Sequence, residues 1–201
     1  MNILTETEFE QQNFKNLQLD GEELRGKTFD ECTFTDCSFN ETQFTACNFA
    51  DCSFKHCDLS LMQVKSSRFR NVDYTHCQIS GVNWSAAAPA MISNQAALKF
   101  TSCGLNYATF IVTKYRGMVM RDCSARDVDF SDADLQKAIF CGTNLTNSRF
   151  ANTDLTGADF RGASGYIIPP EFNKIKGAYF SLPDAIGLLY GLDIHLDEEE
   201  I

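Results

Sequence analysis

A large apolar residue recurs at every fifth position, and this period constrains the fold more than any other feature of the chain. One series of sixteen such positions runs from Phe9 to Trp84, and a second series runs from Phe100 to Phe160. With 44% hydrophobic residues, sixteen consecutive matches have a random probability on the order of one in a million. A period of five fits neither an α-helix nor a flat strand. We therefore predict a chain that turns a corner every five residues and closes a four-sided coil of about twenty residues.

The residue two places before each large residue is mostly small, which predicts a second inward-facing position. Eight of the nine cysteines occupy this position, and only Cys141 does not. Free cysteine behaves as a small buried apolar residue, and the five-residue spacing follows the repeat instead of a zinc-ligand pattern. We interpret the cysteines as structural, reduced thiols, which suits a cytoplasmic protein. The predicted core ladder consists of Phe29, Phe34, Phe39, Phe44, Phe49 and Phe54.

The predicted fold is all-β, a right-handed quadrilateral β-helix with a short C-terminal helix and strand. The β-helix should span residues 1–165, in two repeat blocks at 9–84 and 100–160. Residues 85–99 interrupt the repeat. This interruption is either a spliced defect between the blocks or a projecting loop that contacts a partner.

Residues 166–201 form a predicted C-terminal cap and dimerisation module. Pro169 and Pro170 end the repeats. Ser181 has the character of a helix N-cap, so we expect a helix over 182–190, followed by a strand over 192–196. The module either caps the last coil only or also pairs with its copy, and its apolar surplus favours the dimer. The candidate dimer contacts are Ile186, Leu188, Leu189, Leu192 and Ile194.

The sequence predicts no catalytic residues, no metal site and no cofactor. His56 and His76 are twenty residues apart, so they should share one outward column with Asn16 and Asp36. A single column on a flat face lacks the enclosing ligands that a metal site needs. The N-terminal residues lack a signal-peptide pattern, and no apolar stretch is long enough to span a membrane. We expect a cytoplasmic protein that is not an enzyme.

The formal net charge of −10 disfavours direct binding to nucleic acid or to anionic membranes. It favours a basic partner, or a protein that normally holds DNA. The N-terminal block forms the more uniformly negative surface of the two blocks. An acidic face that is merely solvated, without a partner, is an open alternative. The candidate partner-binding residues are Asp30, Glu31, Asp36, Glu41 and Asp51.

The chain resembles the pentapeptide-repeat family, whose repeat is A(D/N)Lxx. The segments 133–135, 153–157 and 158–162 match this repeat almost letter for letter. Within the family, the segments 58–61, 81–84 and 175–185 are similar to proteins of the albicidin-resistance and Qnr types, which protect type II topoisomerases. The resemblance implies dimerisation through the C-terminal module and imitation of a DNA duplex.

The implied function is a DNA mimic that binds DNA gyrase and topoisomerase IV and protects them from a quinolone- or albicidin-type antibiotic. The irregular segment departs from these proteins at Ala86–Ala88 and Asn94–Ala97, which leaves the drug preference open. A second hypothesis is a non-enzymatic scaffold or immunity protein for an unrelated partner. A third hypothesis, a metal-using enzyme, predicts bound metal.

Overall fold

The computed structural model describes residues 3–89 and 98–190, together with Leu192 and Ile194. Within these residues, short strands and two short 3₁₀ helices, at Trp84–Ala86 and Asp184–Leu188, make up the regular structure. The strands are β1 Glu8–Glu10, β2 Asn13–Lys15, β3 Glu23–Arg25, β4 Thr28–Asp30, β5 Thr33–Thr35, β6 Gln43–Thr45, β7 Asn48–Ala50, β8 Ser53–Lys55, β9 Arg68–Arg70, β10 Val72–Thr75, β11 Leu98–Thr101 and β12 Val119–Arg121.

The strands stack in parallel on four faces of a solenoid. Face 1 contains β1, β4, β7 and β9, and face 2 contains β2, β5, β8, β10, β11 and β12. Face 3 consists of isolated β-bridges that run from Gln18 to Ser164. Face 4 consists of β3, β6 and further isolated β-bridges. Residues twenty apart lie opposite one another, as Phe9 and Phe29 do. The predicted four-sided β-helix is confirmed.

The corners of the regular coils contain a residue in the left-handed conformation, whereas a 3₁₀ helix stands at the corner after Trp84. These residues lie two places after each large inward residue, and the non-glycine ones have φ between 51° and 62°. Asn and Asp tolerate this region best after glycine, and they are frequent here. The left-handed residue turns the chain onto the next face. Our sequence analysis did not predict this conformation, although Asn, Asp and Gly at these positions indicated it.

The inward aromatic rings fill the tube. Rings twenty residues apart stack nearly parallel, with centroids 4.6 Å apart for Phe34 and Phe54. Rings on neighbouring faces meet edge to face, as Phe29 and Phe34 do at 5.5 Å. All six residues of the predicted core ladder are buried. Both arrangements are favourable geometries for aromatic pairs, so the rings stabilise the coil along its axis and across it.

The second inward position is also confirmed, and the structure explains its chemistry. The backbone amide of Cys57 points into the tube and donates to Sγ of Cys77, one coil further on, at 3.4 Å. Oγ of Ser67 accepts from the amide of Cys47 in the same way, at 2.9 Å. All nine cysteines are free thiols. Burial raises the pKa of Cys52 to about 12, so this thiol is protonated at neutral pH.

The two repeat blocks form one continuous solenoid. Tyr74 stacks on Phe100 at 5.0 Å, although the pairing offset changes from 20 to 26 residues between these coils. The amide of Ala88 still donates to Ser67, and Leu98 is again in register. The extra residues therefore fall between Ala88 and Leu98. Residues 90–97 lie outside the described residues, so the projecting loop stays a prediction.

The N-terminal cap depends on a buried lysine that the sequence analysis missed. Lys27 occupies a second inward position and is only 5% exposed. Its Nζ donates to the carbonyl oxygens of Leu4, at 3.2 Å, and Glu6, at 2.6 Å. These bonds hold the N-terminal segment across the first coil, where Ile3 is buried.

The β-helix continues beyond the predicted boundary at residue 165. Lys174 pairs with Asp154, and Tyr179 pairs with Asp159. Phe180 stacks on Phe160 with a centroid distance of 5.2 Å. The boundary prediction was wrong because an irregular stretch around the two prolines hides the return of the five-residue register.

The predicted helix over 182–190 is shorter and of a different type. The structure has a 3₁₀ helix at Asp184–Leu188, with no side-chain cap. Ser181 does not cap it, because Oγ of Ser181 accepts from the amide of Gly162 at 2.8 Å instead. The predicted strand over 192–196 lies mostly outside the described residues.

Candidate partner-binding surface

Three of the five predicted partner-binding acids meet at the edge between faces 1 and 2. We call Glu10, Asp30, Glu31 and Asp51 the acidic edge, because β-pairing places Asp30 directly above Glu10, and Asp51 lies one coil above Glu31. Gln11 donates to the Glu31 carboxylate at 2.9 Å. Asn71 donates to that of Asp51 at 2.8 Å. A neutral amide therefore orders Glu31 without neutralising it, whereas Asp51 also pairs with Arg70.

Arg70 limits the acidic edge at its upper end. Its Nη2 lies 2.7 Å from Oδ2 of Asp51 and 3.9 Å from Oδ1 of Asp30. Arg70 and Asp51 are both partly exposed, so this ion pair contributes little stability and is open to exchange with another partner.

Asp36 and Glu41 lie on the next two edges, away from the acidic edge. Asp36 follows face 2 in the column that continues to His56, and Glu41 follows face 3 below Leu61. The five predicted residues therefore occupy three of the four edges near one end of the rod. The first 51 residues contain eleven Asp and Glu against three Lys and Arg, so this end is acidic on several sides.

Three acids in the C-terminal half form ion pairs with basic residues. Arg116 binds Asp134 at 2.7 Å, Lys174 lies 3.6 Å from Asp154, and Arg161 binds Asp159. The Arg161 guanidinium lowers the pKa of Asp159 to about 2. Over residues 52–190, fourteen Lys and Arg stand against eleven Asp and Glu, so the net negative charge of the rod lies in its N-terminal part.

The predicted histidine column is confirmed. The rings of His56 and His76 stack with centroids 5.1 Å apart, and both side chains are exposed. Within the described residues, no group of three or more His, Cys, Asp or Glu is arranged to hold a metal ion. Both helices in the described ranges are too short to span a bilayer.

The predicted dimer contacts differ in exposure. Leu189 and Ile194 are exposed, Ile186 and Leu192 are half-buried, and Leu188 packs against the core. The structure adds exposed apolar side chains at this end that the sequence analysis did not name. They are Phe172, Tyr179, Leu182 and Tyr190.

Apolar residues also occupy three corners in the middle of the rod. Leu61, Tyr107 and Val112 are each more than half exposed, with positive φ. Tyr107 and Val112 border face 4 in the same coil, and Leu61 leans over the glycine at 81. A β-branched residue is strained in this conformation, so Val112 is conspicuous. The sequence signal was an apolar residue where most corners have a polar one or glycine.

Two solved structures are similar to this chain over nearly its whole length. Both are trypsin-treated variants of QnrB1, a plasmid-mediated fluoroquinolone resistance protein. One has a TM-score of 0.54 at 20% identity, and the other 0.57 at 18%, each covering 95% of this chain and 98% of QnrB1. HetL, a pentapeptide repeat protein of the cyanobacterium Nostoc involved in heterocyst differentiation regulation, has a TM-score of 0.44 at 14% identity, covering 86% of this chain and 84% of HetL. At these identities the likeness shows the fold alone.

No curated protein sequence matches the chain significantly. Two family models do match it: a pentapeptide repeat region over residues 27–92, and eight copies of pentapeptide repeats over residues 123–162. Together they cover more than half of the sequence, in the segments where the parallel coils are regular. The chain therefore belongs to the pentapeptide-repeat family, with a Qnr-like β-helix.

Proposed function

We propose that this protein is an acidic DNA mimic that binds DNA gyrase and topoisomerase IV in the cytoplasm. It protects them from a topoisomerase-poisoning antibiotic of the quinolone or albicidin type, without a catalytic step of its own. The observation that carries the proposal is the excess of acidic over basic residues around the N-terminal part of the rod. The fold that it shares with QnrB1, a fluoroquinolone resistance protein, supports the same reading.

The charge distribution suits a site that normally holds DNA. Successive coils rise by about 4.8 Å, so the acidic edge presents carboxylates at short, regular intervals along the rod. Duplex DNA presents one negative charge per about 1.7 Å of its axis, so the mimic is a weaker polyanion than DNA. It competes for a cationic groove through shape and charge together, and its binding should weaken as salt increases.

We propose that the C-terminal end forms a two-fold dimer, which places an acidic end at each extremity. Leu182 is 86% exposed and Ile194 is 50% exposed, so neither apolar side chain is buried within one chain. Leu182→Asp and Ile194→Asp should therefore yield monomers whose β-helix stays folded. Leu61→Asp is the matched control, because Leu61 is 51% exposed far from this end. Light scattering that shows intact dimers for both C-terminal variants would exclude this interface.

The decisive experiment is a supercoiling reaction that contains gyrase, drug and increasing amounts of the protein. We expect recovery of supercoiling with the wild type. A variant with Asp30→Asn, Glu31→Gln and Asp51→Asn should lose most of this protection. The control variant removes the same number of carboxylates from corners of the C-terminal half, at Asp122, Asp127 and Asp132, and should retain it. If the wild type does not restore supercoiling in the presence of the drug, the proposal is wrong.

The apolar corners favour a second candidate function, a non-enzymatic scaffold or immunity protein for an unrelated partner. A DNA mimic has no need for Leu61, Tyr107 or Val112 on its surface, whereas a protein–protein contact uses such residues. Under this alternative, the protein should not bind gyrase. A captured partner should instead be lost on Tyr107→Asn and kept by the acid-to-amide variant.

A further inference from the structure

The N-terminal end of the β-helix is closed over only part of its cross-section. Lys27 holds the segment before β1 across the first coil, and Phe9 and Leu24 of that coil are 2% and 0% exposed. Phe14 and Leu17 of the same coil are only half-buried, whereas the residues at the same positions of the next coil are buried. The apolar interior is therefore partly open at the end of face 2.

The strand at this open end, β2, directs main-chain hydrogen-bonding groups away from the rod. It is the last strand of face 2 and pairs only with β5 within the described residues. In the next two coils, the amides of Thr33 and Ser53 donate to carbonyl oxygens of the coil before, at 2.8 and 2.9 Å. Asn13 occupies the same position in the first coil, so its amide points to the open end. The carbonyl oxygen of Lys15 corresponds to that of Thr35, which accepts an amide of the coil before.

The rim of this end is acidic. The first coil, residues 8–26, contains five Asp and Glu against two Lys and Arg. One of the two bases, Arg25, is paired with Glu23 at 2.9 Å, and the other, Lys15, lies on β2 itself. A two-fold contact between two such ends would bring like charges together, which is unfavourable. The charge therefore disfavours a second copy of this chain and favours a basic segment.

We propose that β2 accepts an extended, basic segment of a partner protein as an additional strand of face 2. An open strand edge is a template for such pairing, in which the main chain supplies the hydrogen bonds and the side chains supply the specificity. A large apolar residue of the segment packs under Phe14, as Phe34 stacks on its other side at 4.9 Å. Basic residues on either side of it meet the acidic rim. The proposal does not depend on the proposed function, and its test contains no gyrase.

The strand β5 indicates which peptide to use as a probe. Its sequence, Thr-Phe-Thr, already pairs in register with β2 on the other edge. The test is therefore an NMR titration of the ¹⁵N-labelled protein with the peptide acetyl-KKTFTKK-amide. The amide signals of Asn13 and Lys15 should shift saturably and exchange more slowly with solvent. The peptide with Ser in place of Phe should bind about tenfold more weakly, because it buries no ring under Phe14. The peptide with Glu in place of Lys should show no saturable binding.

Two variants of one residue complete the test. Asn13→Pro removes the amide donor, and proline is tolerated on an edge strand where the N–H faces solvent. Asn13→Ala keeps the donor. We expect binding of the peptide to weaken about tenfold in the proline variant and to stay unchanged in the alanine variant.

Three results would overturn the proposal. The first is the absence of saturable shifts at β2 in the wild type, and the second is equal binding of the Phe and Ser peptides, which needs no variant. The third is self-association, measured by light scattering, that Asn13→Pro abolishes and Asn13→Ala retains, because it would assign the edge to a second copy of this chain.

Discussion

Replacement of Phe54 by Ala tests the packing of the aromatic rings inside the tube. Phe54 is 1% exposed and lies between Phe34, at 4.6 Å, and Tyr74, at 5.1 Å. Truncation of a buried Phe costs about 3–5 kcal/mol, through lost transfer energy and the cavity that remains. Both stacked pairs are lost, and each contributes about 0.5–1.5 kcal/mol to that total. We therefore expect a loss of stability near the upper end of the range.

Phe14 provides a graded control in the same column. It lies in the first coil, is only half-buried, and stacks on one ring, that of Phe34, at 4.9 Å. In a solenoid, a terminal coil contributes one interface where a central coil contributes two. Phe14→Ala should therefore cost about 1–2 kcal/mol, less than half of the effect at Phe54.

The measurement is urea denaturation followed by far-UV circular dichroism at one fixed protein concentration. Both substitutions lie far from the C-terminal end, so a change in dimerisation should not contribute. Equal losses at Phe54 and Phe14, or a loss below about 1 kcal/mol at Phe54, would mean that the rings do not line a common axis.

Three further predictions concern single contacts. Cys77→Ser should retain the hydrogen bond from the amide of Cys57, whereas Cys77→Val should leave that amide buried without an acceptor and cost about 1–3 kcal/mol more, measured by urea denaturation. Val112→Asn should raise the melting temperature, because Asn accepts the left-handed conformation that costs Val about 1–2 kcal/mol; an unchanged or lower value would contradict the strain. Asp159 has its pKa lowered by Arg161, so its contribution to stability is present above about pH 4 and is lost as the pH falls towards 2. Arg161→Gln should return the pKa of Asp159 towards 3.8, as followed by ¹³C NMR titration, and an unmoved titration would show that Arg161 is not the cause.

Much of the fold could be predicted from the sequence because each repeat places a large side chain in one fixed environment. Phe29 and Phe49 each occupy the same place in successive coils, so a period of five is sufficient to assign them to the interior. The ends and the interruption have no such repetition. Lys27 occupies a position that small residues fill elsewhere, and only its bonds to Leu4 and Glu6 explain it.

The candidate surfaces were less accessible to sequence reasoning, because exposure and pairing depend on neighbours twenty residues away. The period placed Glu31 and Asp51 in one column correctly. It did not reveal that Arg70 lies against Asp51, since nothing in the local sequence relates them.

The most direct test of the central claim, that the acidic N-terminal part of the rod takes the place of DNA, is a competition measurement. Gyrase is titrated with the protein in the presence of a fluorescent DNA duplex, at low and moderate salt. We predict displacement of the duplex by the wild type and by the variant altered at Asp122, Asp127 and Asp132. The variant altered at Asp30, Glu31 and Asp51 should displace little duplex. Simultaneous binding of protein and duplex to gyrase would contradict the account.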